Sequence, residues 1–161
     1  MNAHYDDWYK KIKPEHDRDR EIVVGSKDAN PVKLYANDWQ GDYCDNQKGL
    51  LNATGKGYWN VKIAQDGQYE IELRRWPEES GKKLTEPFDA TQSMENSTRP
   101  IAKAELKIQD FSQSIETKPE DKVARFVVQL KAGKTKLATN LLDKEGKLLT
   151  SAMYVKVKRI N

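Results

Sequence analysis

Two short segments combine aromatic side chains with residues that bind charged or hydroxylated ligands. Asp38 and Trp39 lie in a polar loop, and Arg74, Arg75 and Trp76 end a segment that alternates like a strand. An indole face stacks on the C–H side of a sugar ring, and a guanidinium makes paired hydrogen bonds to sulfate or carboxylate. These segments predict a binding site for an anionic carbohydrate, whose candidate substrate-binding residues are Asp38, Trp39, Arg74 and Trp76.

A structural role for the second segment is the alternative. Consecutive strand residues point to opposite faces, so the two arginines are not expected to reach one ligand. Arg74 shares its phase with Glu70 and Glu72 and is expected on the solvent face. Arg75 shares its phase with apolar residues and is expected to pack near Trp76, which would then cap the core.

Residues that support catalysis are missing or isolated. Neither a Ser-His-Asp nor a Cys-His set can be assembled from the sequence, and residues 55–57 lack the spacing of a phosphate-binding loop. The single Cys44 lies beside acidic residues, which disfavour a reactive thiolate. We therefore predict no catalytic residue, no metal ligand and no cofactor in this chain, although scattered Asp and Glu leave a carboxylate pair open.

Length and composition indicate one domain. The chain has 161 residues with 4 Trp, 7 Tyr and 3 Phe, too many aromatic side chains for a disordered segment. No apolar run reaches the roughly 18–20 residues of a membrane-spanning helix, and the N-terminal residues lack the apolar centre of a signal peptide. A membrane partner is therefore not predicted.

The positive charge is concentrated at the end of the sequence. The net charge is +3, and residues 131–161 contain eight Lys or Arg against two acidic residues. Between Tyr154 and Lys158 the lysines alternate with valines, which is typical of a half-buried strand with lysine on its wet face. A nucleic-acid partner is therefore not predicted, and a polyanion such as a sulfated glycan is the remaining alternative.

Alternation of apolar and polar residues predicts most strands. Residues 57–76 are predicted to form a hairpin with Trp59 and Tyr69 buried, because tight Asp-Gly turns such as Asp66-Gly67 need positive φ. A second hairpin is predicted around the turn at residues 144–147. The strands of this second hairpin are predicted at 137–142 and 149–157. The other predicted strands span 22–24, 32–34, 103–108 and 124–130.

Only the start of the chain shows helical spacing. In residues 5–13 an aromatic face is formed by Tyr5, Trp8 and Tyr9 with Ile12, and Pro14 is expected to end the helix. Many short strands with one short N-terminal helix predict an all-β antiparallel β-sandwich of jelly-roll or Greek-key type. We interpret residues 1–14 as a helical linker, whose aromatic face stays exposed and meets another domain, and 15–161 as a single β-sandwich domain.

Three stretches occur in a familiar order. They are residues 4–9 (HYDDWY), 22–39 (IVVGS, NPVKL and DW) and 57–77 (GYWNV and GQYEIELRRWP). This order resembles the C-terminal region of bacterial arylsulfatases of the formylglycine-dependent, alkaline-phosphatase-like family. The resemblance implies a non-catalytic C-terminal accessory domain that packs on the catalytic sulfatase domain of the same polypeptide and helps to bind a sulfated glycan. It also implies a bacterial periplasmic or secreted protein.

The resemblance places the sulfatase chemistry outside this chain. The family's nucleophile lies in a Cys/Ser-x-Pro-x-Arg motif, whereas Cys44 is followed by Asp, Asn, Gln and Lys. The formylglycine made from that nucleophile, and the ligands of the family's divalent cation, calcium, would belong to the catalytic domain. The competing interpretations are an independent carbohydrate-binding β-sandwich module and a structural or adhesion domain.

Overall fold

The computed structural model describes residues 2–16, 20–42, 44, 55–87 and 98–161. Helix α1 spans Asn2–His16. The strands of the first half are β1 (Ile22–Val24), β2 (Val32–Tyr35), β3 (Gln40–Gly41), β4 (Gly57–Ile63) and β5 (Gly67–Arg74). Those of the second half are β6 (Lys103–Ile108), β7 (Phe111–Glu116), β8 (Ala124–Leu130), β9 (Gly133–Leu142), β10 (Leu148–Thr150) and β11 (Tyr154–Arg159). Short 3-10 helices occupy Ala36–Asp38 and Glu78–Ser80.

The strands form two sheets, which confirms the predicted β-sandwich. The seven-stranded sheet has the order β1-β4-β9-β6-β7, with β3 beside β4 and β10 beside β9. The four-stranded sheet has the order β2-β11-β5-β8. Pairing in the described sheets is antiparallel except between β1 and β4.

One apolar core lies between the two sheets. In β8 buried and exposed residues alternate strictly, as expected for a strand with one wet face. Trp59 and Tyr69 are both 0% exposed, which confirms their predicted burial. The Nε1 of Trp59 on β4 donates to the carbonyl of Tyr35 on β2 at 2.7 Å, so this side chain connects the two sheets.

The predicted hairpin of residues 57–76 is wrong, although both of its strands exist. β4 pairs with β1, β3 and β9, whereas β5 pairs with β8 and β11 in the other sheet. The apolar faces of β4 and β5 face each other across the core, and the two strands do not pair with each other within one sheet. Alternation reports which face of a strand is buried, but it does not report which strand is the hydrogen-bonding neighbour.

The second predicted hairpin is correct only near its turn. Leu148 of β10 pairs with Leu142 of β9, but the predicted strand 149–157 breaks after Thr150 and β11 joins the four-stranded sheet. Strand β7 was not expected from the sequence. It is an edge strand with mostly exposed side chains, so it lacks the apolar alternation that reveals a strand.

Helix α1 extends past the predicted end. Pro14 lies inside the helix, close to its last turn, where the missing N–H removes a single helical hydrogen bond. The division into residues 1–14 and 15–161 stays a prediction. Among the described residues, no helix is both long and apolar enough to cross a membrane.

Candidate functional site

Trp39 is buried, so its expected exposure to ligand is wrong. It is 8% exposed, its ring centroid lies 5.5 Å from that of Trp59, and its Nε1 donates to the Asp42 carbonyl at 2.7 Å. Gly57 makes room for the ring, because a Cβ there would lie 2.3 Å from an indole carbon of Trp39. Asp38 is exposed at the end of its 3-10 helix.

Trp76 is also buried, and Arg75 packs on it as expected. Trp76 is 5% exposed and donates to the Glu86 carbonyl at 2.9 Å. The guanidinium of Arg75 lies 4.5 Å from the Trp76 ring centroid and donates to the carbonyls of Leu84 and Glu86. Burial, and secondarily the charge of Arg99, lower the pKa of Arg75 to about 9. These contacts hold the chain after β5 in place and leave no indole face for a ligand.

Arg74 lies on the outer face of the four-stranded sheet, as predicted. Its Nη2 contacts Glu72 at 3.1 Å and Glu78 at 3.4 Å. Its buried Nε has no hydrogen-bond partner in the described part of the chain. An unpaired buried donor is costly, and because this atom is buried it is not itself accessible to a ligand.

Strand register places Tyr154 between Arg74 and a second tyrosine, Tyr35. Tyr154 of β11 stands opposite Tyr35 of β2 on one side and opposite Arg74 of β5 on the other. The two phenol rings meet edge to face, with centroids 5.9 Å apart at 89°. Tyr35 is 40% exposed and Tyr154 is half-buried, so both present ring surface to solvent.

These side chains line a shallow depression that we call the tyrosine groove. It is bounded by the outer face of the sheet and by the turn that follows β5. The residues that line it include Lys33, Tyr35, Arg74, Pro77, Glu78, Glu79, Tyr154 and Lys156. Its volume of about 30 Å³ holds only one or two water molecules, so a larger ligand must lie across it.

A buried carboxylate organises the charges at one side of the groove. Glu72 is 6% exposed. Its carboxylate accepts hydrogen bonds from Arg125 at 2.9 Å and from Arg74, and the ammonium of Lys156 lies 3.7 Å from it. Burial alone would raise the pKa of Glu72, but the hydrogen bonds from Arg125 and Arg74 and the charge of Lys156 outweigh it and lower the pKa.

The 3-10 turn after β5 supplies the other acids. Lys33 pairs with Glu79 at 2.8 Å, and Glu78 lies within 4 Å of Lys33, Arg74 and Lys156. Burial raises the pKa of Tyr154, with the charges of Tyr35 and Glu79 adding to the effect, so its phenol keeps its proton. The groove therefore offers many hydrogen-bonding groups whose charges are already largely paired.

The sequence-predicted site is therefore only partly assembled. Of its four candidates, Arg74 is the one found among the described residues that line the groove. The tyrosines were missed, although a signal was present. Tyr35 shares its phase with Lys33, and Tyr154 shares its phase with Lys156, so both rings fall on the charged, wet face of their strands.

A metal centre finds no support in the described residues. They contain no group of three or more His, Cys, Asp or Glu side chains that could hold an ion. Cys44 is buried. The divalent cation implied by the sulfatase resemblance therefore finds no set of ligands within the described ranges, and we derive no chemistry from it.

Comparison with known proteins gives weak likenesses. No family model and no curated protein matches this chain. A ruminal GH26 endo-β-1,4-mannanase is 13% identical with a TM-score of 0.43, covering 81% of this chain and 26% of that one. A family 35 carbohydrate-binding module from Clostridium thermocellum is 16% identical with a TM-score of 0.42, covering 80% and 98%. The CBM35 module of Cellvibrio japonicus Abf62 is 13% identical with a TM-score of 0.44, covering 79% and 91%.

These likenesses carry no argument about function at such identities and TM-scores. The chain spans only about a quarter of the mannanase that it resembles. The class of protein is defined by the two sheets themselves: a β-sandwich domain with a polar, tyrosine-lined groove on one outer face. The arylsulfatase resemblance stays a prediction.

Proposed function

We propose that this chain is a carbohydrate-binding β-sandwich module that holds a sugar chain across the tyrosine groove. One observation carries the proposal. Tyr35 and Tyr154 expose the surface of their aromatic rings among side chains that can form hydrogen bonds. Aromatic rings beside paired donors and acceptors suit a ligand that has apolar C–H faces and hydroxyl edges.

The groove supplies both kinds of hydrogen bond that a sugar hydroxyl makes. Lys33 and Arg74 are donors, Glu78 and Glu79 are acceptors, and the protonated phenol of Tyr154 is both. Because the groove is shallow, one face of the sugar stays in solvent. Affinity from such a site is expected to be modest and to come mainly from stacking on Tyr35.

The charge balance favours a neutral sugar in this groove. Arg74 already pairs with Glu72 and Glu78, and Lys33 pairs with Glu79. A sulfate or carboxylate placed there would compete with these ion pairs and face the carboxylates of Glu78 and Glu79. We therefore replace the expected role of Arg74 as a sulfate ligand with a role as donor to a hydroxyl.

The test is calorimetric titration of neutral β-linked hexasaccharides (cellohexaose, mannohexaose and laminarihexaose) against three variants. Tyr35→Ala should abolish measurable binding, whereas Tyr35→Phe, which keeps the ring, should retain most of it. Val127→Ala is the matched control, because Val127 is an exposed apolar residue on the same face at the far edge strand β8. Equal affinity of wild type and Tyr35→Ala would overturn the proposal.

A second proposed role is that of an accessory domain on a catalytic domain. The observation that favours it is the aromatic face of α1, where Tyr5 and Trp8 are 59% and 51% exposed and Tyr9 stacks on Tyr5. The arylsulfatase resemblance suggests that this catalytic domain is a sulfatase with formylglycine and calcium, and that the whole protein is extracellular. A Cys/Ser-x-Pro-x-Arg segment encoded in frame upstream of His4 would support this suggestion, and hydrolysis of an aryl sulfate by this chain alone would contradict it.

A further inference from the structure

A strip of lysines lies on the opposite side of the sandwich from the tyrosine groove. On the outer face of the seven-stranded sheet, Lys62 of β4 stands directly opposite Lys134 of β9. Lys136 lies two residues further along β9, opposite Asn60. We call Lys62, Lys134 and Lys136, with the neighbouring Tyr58 and Asn60, the basic strip.

The strip contains a cross-strand pair of like charges, which lowers the stability of the fold. Like charges directly opposite each other on neighbouring strands are destabilising. The fold nevertheless places Lys62 and Lys134 across from one another, although the other face of β4 is buried in the core and fixes the direction of Lys62. Departures from local rules of this kind concentrate where a surface is used for binding.

Carboxylates neutralise only part of the strip. Lys134 pairs with Glu21. Within the described ranges, neither Lys62 nor Lys136 forms an ion pair with an acidic side chain. The ammonium of Lys136 instead lies 4.3 Å from the Tyr58 ring centroid, and this cation–π contact holds it above the sheet. Lys62 is exposed. The strip therefore presents positive charge that this part of the protein does not itself balance.

We propose that the basic strip binds a linear polysaccharide that carries carboxylate or sulfate groups. Neighbouring strands lie about 4.8 Å apart, and residues on one face of a strand lie about 7 Å apart. Ammonium groups anchored at these spacings on an open sheet fit anions repeated along an extended polymer better than one compact anion. Asn60 adds an amide that can hydrogen-bond to hydroxyl groups.

A nucleic acid fits the molecule less well. The net charge is only +3 and the pI is about 8.8. Nucleic-acid-binding domains have a pI above about 9 and a wider basic footprint. The inference is independent of the tyrosine groove, which lies on the other sheet and has its charges paired.

The experiment compares two double variants of equal net charge. Lys62→Gln/Lys136→Gln removes two charges of the strip. Lys147→Gln/Lys158→Gln removes two exposed charges elsewhere, in the β9–β10 turn and on the other sheet. Binding is measured by affinity electrophoresis in polygalacturonate, dextran sulfate and uncharged dextran, with single-stranded DNA as competitor, at about 0.05 M and about 0.3 M salt to vary screening.

The wild type should bind at least one of the two charged polysaccharides, more weakly at the higher salt, and should not bind dextran. The strip variant should lose about fivefold in affinity, whereas the control variant should stay within about twofold. Polygalacturonate and dextran sulfate distinguish carboxylate from sulfate recognition. Tyr35→Ala should leave this binding unchanged, which separates failure of the strip from failure of the groove.

Three results would overturn the proposal: no binding to either charged polymer, equal losses in the two double variants, or DNA binding tighter than both polysaccharides. Thermal unfolding checks that each variant is folded. If the double strip variant does not fold, Lys62→Gln alone is compared with Lys147→Gln. A loss of binding specific to Lys62→Gln then supports the strip, and equal binding contradicts it.

Discussion

The outer face of the four-stranded sheet and the basic strip of the seven-stranded sheet arrange their basic residues in opposite ways. On the four-stranded sheet, Glu72 joins Arg74 and Arg125, so cations on neighbouring strands are linked through a carboxylate. On the seven-stranded sheet, Lys62 faces Lys134 directly, and Glu21 pairs with Lys134 but not with Lys62. A face with paired charges contributes to stability and leaves its tyrosines to select a ligand. A strip of lysines that is only partly paired with acids loses stability and gains attraction for anions.

Both outer faces depend on the core between the two sheets. Substitution of Trp59 in this core should therefore have the largest effect on stability. Replacing Trp59 with Ala should lower the free energy of unfolding by about 3–5 kcal/mol, because it leaves a cavity between the sheets. Trp59→Phe keeps most of the volume and loses the hydrogen bond to Tyr35, so a loss of about 1 kcal/mol is expected. Urea unfolding measures both. A loss below 1 kcal/mol for Trp59→Ala would mean that the packing of the sheets is described wrongly.

The next largest effect should come from the carboxylate of the paired face. Glu72→Gln should lower the free energy of unfolding by about 2 kcal/mol, since it removes charge-assisted hydrogen bonds from Arg125 and Arg74. Glu70→Gln is the matched control on the same face of β5, where Glu70 is half-buried. Equal stability of the two variants in urea would show that the ion pairs of this face contribute nothing.

Acid should weaken the paired face. The pKa of Glu72 is lowered in the folded protein from its ordinary value of 4.5, so its contribution is complete above about pH 4.5 and is lost as pH falls through the folded value. Between pH 6 and pH 3, we therefore expect wild type to lose more stability than Glu72→Gln. Thermal unfolding across this range measures the difference, and parallel curves for the two proteins would contradict the assignment.

The smallest effect should have the opposite sign and come from the basic strip. Lys62→Gln removes the repulsion with Lys134 and should raise the free energy of unfolding by about 0.3 kcal/mol. Lys147→Gln, in an exposed turn, should leave it unchanged. Destabilisation by Lys62→Gln in urea would show that the lysines of this face are not in conflict, and the contrast between the faces would fail.

Much of the strand content and the burial could be predicted from the sequence. Alternation identified the inward faces of β4, β5 and β8, because a half-buried strand needs one apolar side every second residue. The partners of β4 and β5 could not be predicted in this way. A short turn that passes from one sheet to the other has the same local chemistry as a hairpin turn, so only the assembled core distinguishes them.

The candidate site was harder to predict because exposure depends on the assembled sheets. Trp39 lies in a polar stretch, yet a glycine in β4 opens a space that buries it. Tyr154 lies among lysines and valines, and only strand register brings it beside both Tyr35 and Arg74. The direction of the arginines was predictable, because alternation within β5 separates Arg74 from Arg75 whatever the fold.

The most direct test of the contrast between the faces is a titration of backbone amide chemical shifts with a neutral hexasaccharide. We expect the largest changes on β2, β5 and β11 near Tyr35, Arg74 and Tyr154, and none at Lys62 or Lys134 of the basic strip. Changes centred on the seven-stranded sheet, or no change with cellohexaose, mannohexaose or laminarihexaose, would contradict the assignment of carbohydrate binding to the tyrosine groove.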